Sequence, residues 1–223
     1  MGRLDWSWTK RILAFYPMLI VHSLVPPLAL ILVRGMAIES IGPEATGQWQ
    51  AALRISETYL GLVMTSTGLY FMPQLGTVIN SPYRLQREVR TTLAITVSAT
   101  AAIAAIIYLL RVPIVHIVFS GAFVDVAGLM PVQLIGDTLT MIGWTLGYVL
   151  VALVRSAWYI VLQFLIPLVF YATTRWLIAD HGAHAIVIGY AISGGVHAVL
   201  GCFALREILF RRVQLPVAEG GKN

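Results

Sequence analysis

The sequence predicts an all-α protein, a polytopic membrane bundle of six transmembrane helices. Hydrophobic residues make up 58% of the 223 positions and charged residues only 11%, against about 25% charged in soluble domains. Six apolar stretches, at about residues 12–34, 50–75, 91–110, 131–152, 157–178 and 184–208, stand between short basic or turn-forming loops. Each meets the roughly 20 residues that a helix needs to cross a ~30 Å hydrocarbon layer. None shows the strict two-residue alternation of a barrel strand, and in lipid only helices and closed barrels satisfy their own backbone groups. The spans make residues 1–212 one six-helix unit, with 213–223 as a short cytoplasmic tail.

The formal charge of +5 reads as topology, because the basic residues sit at span ends without a basic-aromatic surface element, so no nucleic-acid partner is expected. Arg3, Lys10 and Arg11 precede span one. Arg84, Arg87 and Arg90 join spans two and three, Arg155 joins four and five, and Arg206, Arg211, Arg212 and Lys222 follow span six. The alternate loops have only Arg34, Arg111 and Arg175 near them. Both termini are therefore expected in the cytoplasm, with loops near 35–48, 111–130 and 179–183 outside. The apolar run after Met1-Gly2-Arg3-Leu4-Asp5-Trp6 exceeds the usual ~15-residue core of a signal peptide and lacks a small-residue cleavage site, so it reads as a retained helix.

Span one carries Pro17 and the pair Pro26-Pro27. The latter remove the usual helical partners of the His22 and Ser23 carbonyls, four residues earlier. Two readings are open. Residues His22, Ser23, Pro26 and Pro27 mark either a helix break that flexes beside a substrate pathway, or a static kink filled by neighbours, with His22 bonding across helices.

Span two carries a polar stripe. At 100° per residue, Gln50, Arg54, Glu57, Gly61, Thr65, Gly68 and Met72 share one face, while Leu53, Leu60, Leu62, Val63 and Leu69 are offered to lipid or apolar neighbours. Arg54 and Glu57, three apart, can pair. A charge at membrane depth costs ~2.5 kcal/mol or more, which favours a cavity-facing stripe; an ion pair near the outer interface, one turn past Trp49, is the alternative.

Residues 112–130, with Pro113, Phe119, Gly121 and Phe123, read as an interfacial segment. Span four repeats the polar theme with Gln133, Asp137, Thr140 and Trp144, and its Gly136, Thr140, Gly143 and Gly147 form a ridge for close helix packing. Asp137 is expected to neutralise Arg54 or another arginine, or else to take up protons. Span six holds Gly189, Ser193, Gly194, His197 and Gly201, again a close-contact pattern, with His197 as a cross-helix hydrogen bonder. The single Cys202 lies in this span and excludes an internal disulfide.

Soluble-enzyme motifs are missing. Gly42-Pro43-Glu44-Ala45-Thr46-Gly47-Gln48-Trp49 echoes phosphate-loop glycine spacing, but Gln48 stands where lysine is required. Asp180-His181-Gly182-Ala183-His184 lacks the further ligands that a metal site needs. No catalytic residue, cofactor or metal is expected, and the intramembrane polar residues are scattered singly, unlike an embedded transferase or hydrolase.

Several segments carry a family resemblance: Leu32-Val33-Arg34-Gly35, Gly47-Gln48-Trp49-Gln50-Ala51, Arg54-Ile55-Ser56-Glu57-Thr58-Tyr59-Leu60-Gly61, Tyr70-Phe71-Met72-Pro73-Gln74-Leu75 and Gln133-Leu134-Ile135-Gly136-Asp137. From about Lys10 to Arg212 the chain resembles bacterial polysaccharide flippases of the multidrug/oligosaccharidyl-lipid/polysaccharide exporter superfamily, nearest to the O-antigen and enterobacterial-common-antigen lipid-intermediate translocases. The resemblance implies translocation of an undecaprenyl-diphosphate-linked oligosaccharide across the bacterial inner membrane, by two lobes rocking around a cationic cavity. It reaches only the second lobe. The resemblance thus implies a half that works with a first-lobe partner or as a homodimer, or else a non-transporting scaffold or inactive remnant. Arg34, Arg54, Glu57 and Asp137 fall on matching positions, and with Gln50 they are the substrate-pathway candidates.

Overall fold

The computed structural model describes residues 6–119 and 125–210, and all regular structure among them is helical. Six helices run in order: α1 (Trp6–Val78), α2 (Pro82–Val118), α3 (Val126–Ala152), α4 (Ser156–His181), α5 (Ala183–Ala204) and α6 (Arg206–Phe210). The first five are long and apolar enough to cross a membrane. Gly121, Phe123, Arg211, Arg212 and the expected tail at 213–223 lie outside the described residues.

Helix α1 runs for 73 residues, about 110 Å if straight and far beyond one crossing. It doubles back instead. Gly42 breaks it with φ 82° and ψ 167°, a backbone that glycine adopts without a Cβ penalty. Pro43 comes next as the first residue of the second arm, where its missing N–H costs nothing. The Thr46 hydroxyl donates to the Gly42 carbonyl at 2.7 Å. Leu30 and Leu53 line the same cavities, although in a straight helix they would stand about 35 Å apart. Arms 6–41 and 43–78 therefore form a hairpin, so α1 holds both of the first two expected spans. The outside loop expected at 35–48 shrinks to one non-helical residue, because Gly-Pro reverses the chain without a longer connection.

Other boundaries move as well. Helix α2 extends the 91–110 span at both ends to 37 residues, so Arg84, Arg87 and Arg90 lie on its first turns, not in a loop. Residues 112–118 continue the same helix through Pro113, which corrects the interfacial-segment expectation there. The last span breaks at Leu205, and the short α6 follows. Pro26 and Pro27 stay inside a continuous helical arm.

Arginines hold α6 in place. Arg90 Nε donates to the Leu209 carbonyl at 2.9 Å, and Gln86 Nε2 to that of Ile208 at 2.7 Å. Arg155 Nη1 donates to the Ala204 carbonyl at 2.7 Å. Such contacts satisfy carbonyls that a helix C-terminus leaves without partners. Two of the basic residues read as topological signals thus also hold a helix end.

Glycines bring α3 and α5 together. A Cβ on Gly143 would overlap the His197 ring, and one on Gly136 would stand 2.6 Å from the Tyr190 ring. On Gly194 it would meet the Thr140 hydroxyl at 2.7 Å. Gly147 faces α4 instead, with Tyr159 at 3.8 Å, so the Gly143–Gly147 step does not serve one interface. Apolar side chains such as Leu62, Leu69, Ile117 and Trp176 stay exposed on the outer surface, as lipid contact allows.

Candidate functional site

The α1 hairpin sets Arg34 of its first arm beside Gln50, Arg54 and Glu57 of the second, and all four line one cavity of about 350 Å³. Positions 50, 54 and 57 recur at helical spacing, which puts them on one face. Phe119, at the end of α2, also lines the cavity. Arg54 Nη1 donates to Glu57 Oε2 at 3.0 Å, with 77% of the Arg54 side chain exposed. A pair this open contributes little to stability and engages one of the five N–H donors of the guanidinium.

A larger cavity of about 470 Å³ adjoins it, and Leu30, Leu53 and Glu57 line both. Its wall draws Gln133, Thr140 and Trp144 from α3, Gln163 and Phe170 from α4, and Tyr190, Ser193 and His197 from α5. Pro26 and Pro27 contribute from the first arm. Leu53 and Leu60 line it too. They were offered to lipid or apolar neighbours, and the apolar neighbours are what they meet, because the fold-back of the first arm covers that flank of the second. Leu62 and Leu69, by contrast, remain 69% and 77% exposed.

Asp137 stands behind this wall. Its side chain is fully buried. Oδ2 accepts from the Ser56 hydroxyl and the Tyr59 hydroxyl, both at 2.7 Å, and Oδ1 accepts from Gln133 Nε2 at 3.2 Å. No arginine reaches it among the described residues, which corrects the expected Asp137–arginine pair: Arg54 is held by Glu57 on the opposite, open side of the second arm. Hydroxyl and amide donors satisfy the carboxyl instead. Sequence reasoning missed Ser56 and Tyr59, whose signal was two hydrogen-bonding side chains three apart, off the charged stripe.

Of the helix-break candidates, His22 and Ser23 are exposed and outside both cavities. His22 Nδ1 lies 2.7 Å from Gln163 Nε2 and 3.1 Å from the Tyr159 hydroxyl of α4. The first arm is thereby tied to α4, through partners the sequence did not indicate. His197 makes its cross-helix contact by packing on Gly143.

The chain is thus a multi-pass bundle in which an arginine-lined cavity adjoins a larger, mostly apolar one. Two curated relatives match it. The lipid III flippases of Escherichia coli (strain K12) and Shigella flexneri are each 29% identical over 201 residues, covering 89% of this chain and 47% of their own length. The chain resembles the C-terminal half of a lipid-linked-oligosaccharide flippase. It thus spans about half the length of the relatives it matches. No family model matches the sequence, and no solved structure matches it.

Proposed function

We propose that the chain is a six-helix lobe of a flippase that carries an undecaprenyl-diphosphate-linked oligosaccharide from the cytoplasmic to the periplasmic leaflet of the bacterial inner membrane, for polysaccharide assembly. One observation supports the reading above the rest: Arg34 and Arg54 line one cavity. Two guanidiniums against the single Glu57 carboxylate leave a net charge of +1 there, and each guanidinium fits two phosphate oxygens at once. A diphosphate would find in that cavity the compensation that the hydrocarbon denies it.

One lobe does not enclose a pathway between two lobes, so transport calls for a first-lobe partner or a second copy. The alternative is a non-transporting scaffold or an inactive remnant, which the half-length match also fits. Complementation separates them. The chain is expressed in a flippase-deficient strain, alone and with a matching first lobe, and polysaccharide export is measured. Export restored in either arm supports transport, with the arm naming the partner; no export at confirmed membrane abundance in both supports the alternative.

A further inference from the structure

The larger cavity poses a separate chemical question, because its mostly apolar wall includes a residue whose buried acceptor has no partner among the described residues. Gln133 is fully buried, and its Nε2 is committed to Asp137 Oδ1. Its Oε1 has no hydrogen-bond partner among the described residues, though the residue lines the cavity. A buried acceptor left unpaired is costly, and an apolar ligand would leave it so. Trp144, on the same face of α3, keeps 38% exposure in the cavity wall. A buried acceptor and, further along the same helix face, a partly exposed indole suit an extended ligand that is apolar on its faces and donates at its edges.

The order along the cavity comes from how the second arm of α1 packs on α3. Ser56 and Tyr59 meet Asp137, and further on the Met64 carbonyl accepts from the Tyr148 hydroxyl at 3.2 Å. Residue numbers rise together on the two elements, so they run parallel. Gln133 lies at the end nearer Arg54, and Trp144 about 16 Å further along the axis. A ligand whose phosphates sit at Arg34 and Arg54 therefore meets Gln133 first and Trp144 later.

We propose that this cavity is a sugar subsite, in which the Gln133 carboxamide oxygen accepts a hydroxyl or acetamido N–H from the sugar next to the diphosphate, and Trp144 stacks on a sugar further out. The assignment rests on the diphosphate reading of the arginine cavity and adds a specificity to it: the site reads the glycan, and it reads different positions with different residues.

The test uses the full chain in lipid nanodiscs and three labelled farnesyl diphosphate probes, one without sugar, one bearing a single N-acetylglucosamine and one bearing a trisaccharide. Wild type should bind the sugar-bearing probes about tenfold more tightly than the bare diphosphate. Gln133→Met should remove about threefold to tenfold from both sugar-bearing probes and nothing from the bare one. Trp144→Ala should weaken only the trisaccharide probe, with Trp144→Phe restoring part of the loss. Arg54→Gln should weaken all three alike.

Equal wild-type affinity for the three probes, with Arg54→Gln still weakening them, would overturn the sugar subsite and leave the diphosphate reading standing. Gln133→Met or Trp144→Ala acting on all probes equally would overturn it too, as the mark of a merely structural role. Sugar preference retained with Arg54→Gln inert would overturn the diphosphate reading alone. Absence of saturable binding by any probe would overturn both.

Discussion

Arg54 is exposed beside a cavity and Asp137 is buried behind one, and that difference sets what each substitution does. Arg54→Lys keeps the charge and loses the bidentate fork, so part of the transport should survive. Arg54→Gln should abolish most of it at unchanged membrane abundance, since an open ion pair with Glu57 contributes little to stability. Lipid-linked oligosaccharide accumulating on the cytoplasmic leaflet, in a strain supplied with the matching first lobe, reads the difference; normal export by Arg54→Gln would remove the cavity assignment. Asp137 should behave the other way round. Asp137→Ala strands the Ser56 and Tyr59 hydroxyls and the Gln133 amide, at about 1–3 kcal/mol for each donor left without a partner. Its thermal midpoint in detergent should fall well below that of Asp137→Asn, which keeps the volume and one acceptor oxygen. Equal midpoints for the two variants would mean that the network does not hold the second arm to α3.

At the scale of elements, the tight seam is between α3 and α5. Gly143→Ala would press a methyl into the His197 ring, which overpacks a helix contact and should cost about 1–3 kcal/mol. His197→Ala vacates that space, so the double variant should recover much of what Gly143→Ala alone loses. Thermal unfolding of the four proteins of the cycle tests it, and purely additive losses would mean the two residues do not share the seam. The glycine pattern that makes this seam was legible in the sequence, because small residues at helical spacing state a close approach directly. The existence of the long apolar segments was legible for the same kind of reason: hydropathy is local. The ends were less so. Arg84, Arg87 and Arg90 looked like a loop because charge marks the edge of the hydrocarbon, yet arginine is a good helix former and α2 runs through them. Gly42-Pro43 fell inside the loop expected at 35–48, but the sequence did not say that the reversal would need only one non-helical residue. Least legible were Ser56 and Tyr59, the partners of Asp137 that lie 81 and 78 positions away; only the packing of the second arm on α3 brings them together.

For the molecule as a whole, the decisive property is which face meets water and which meets lipid. Both cavities open along the inner side of the α1 hairpin, while Leu62 and Leu69 of the same arm point outward. In a Cys202→Ala background, single cysteines at Arg54, Glu57 and Gly61 should react with a small polar thiol reagent, because a thiolate forms only where water reaches it. Cysteines at Leu62 and Leu69 should stay unlabelled in membranes despite their exposure, since that exposure is to hydrocarbon. Leu60, offered by the sequence to lipid or apolar neighbours, belongs with the cavity wall, but at 3% exposure it should label slowly. Orientation can be read in the same preparation. If each arm of α1 and each of α2 to α5 crosses once, as their length and apolarity allow, the crossings number six and the two termini are expected on one side. The excess of arginine near that side predicts a cytoplasmic position for both. A reporter fused after Asn223 should therefore be active only in its cytoplasmic form. A periplasmic C-terminus would mean an odd number of crossings or an inverted bundle, and either would overturn this orientation. Equal labelling of Arg54 and Leu62 positions would leave the hairpin intact and remove the water-filled pathway that the transport reading needs.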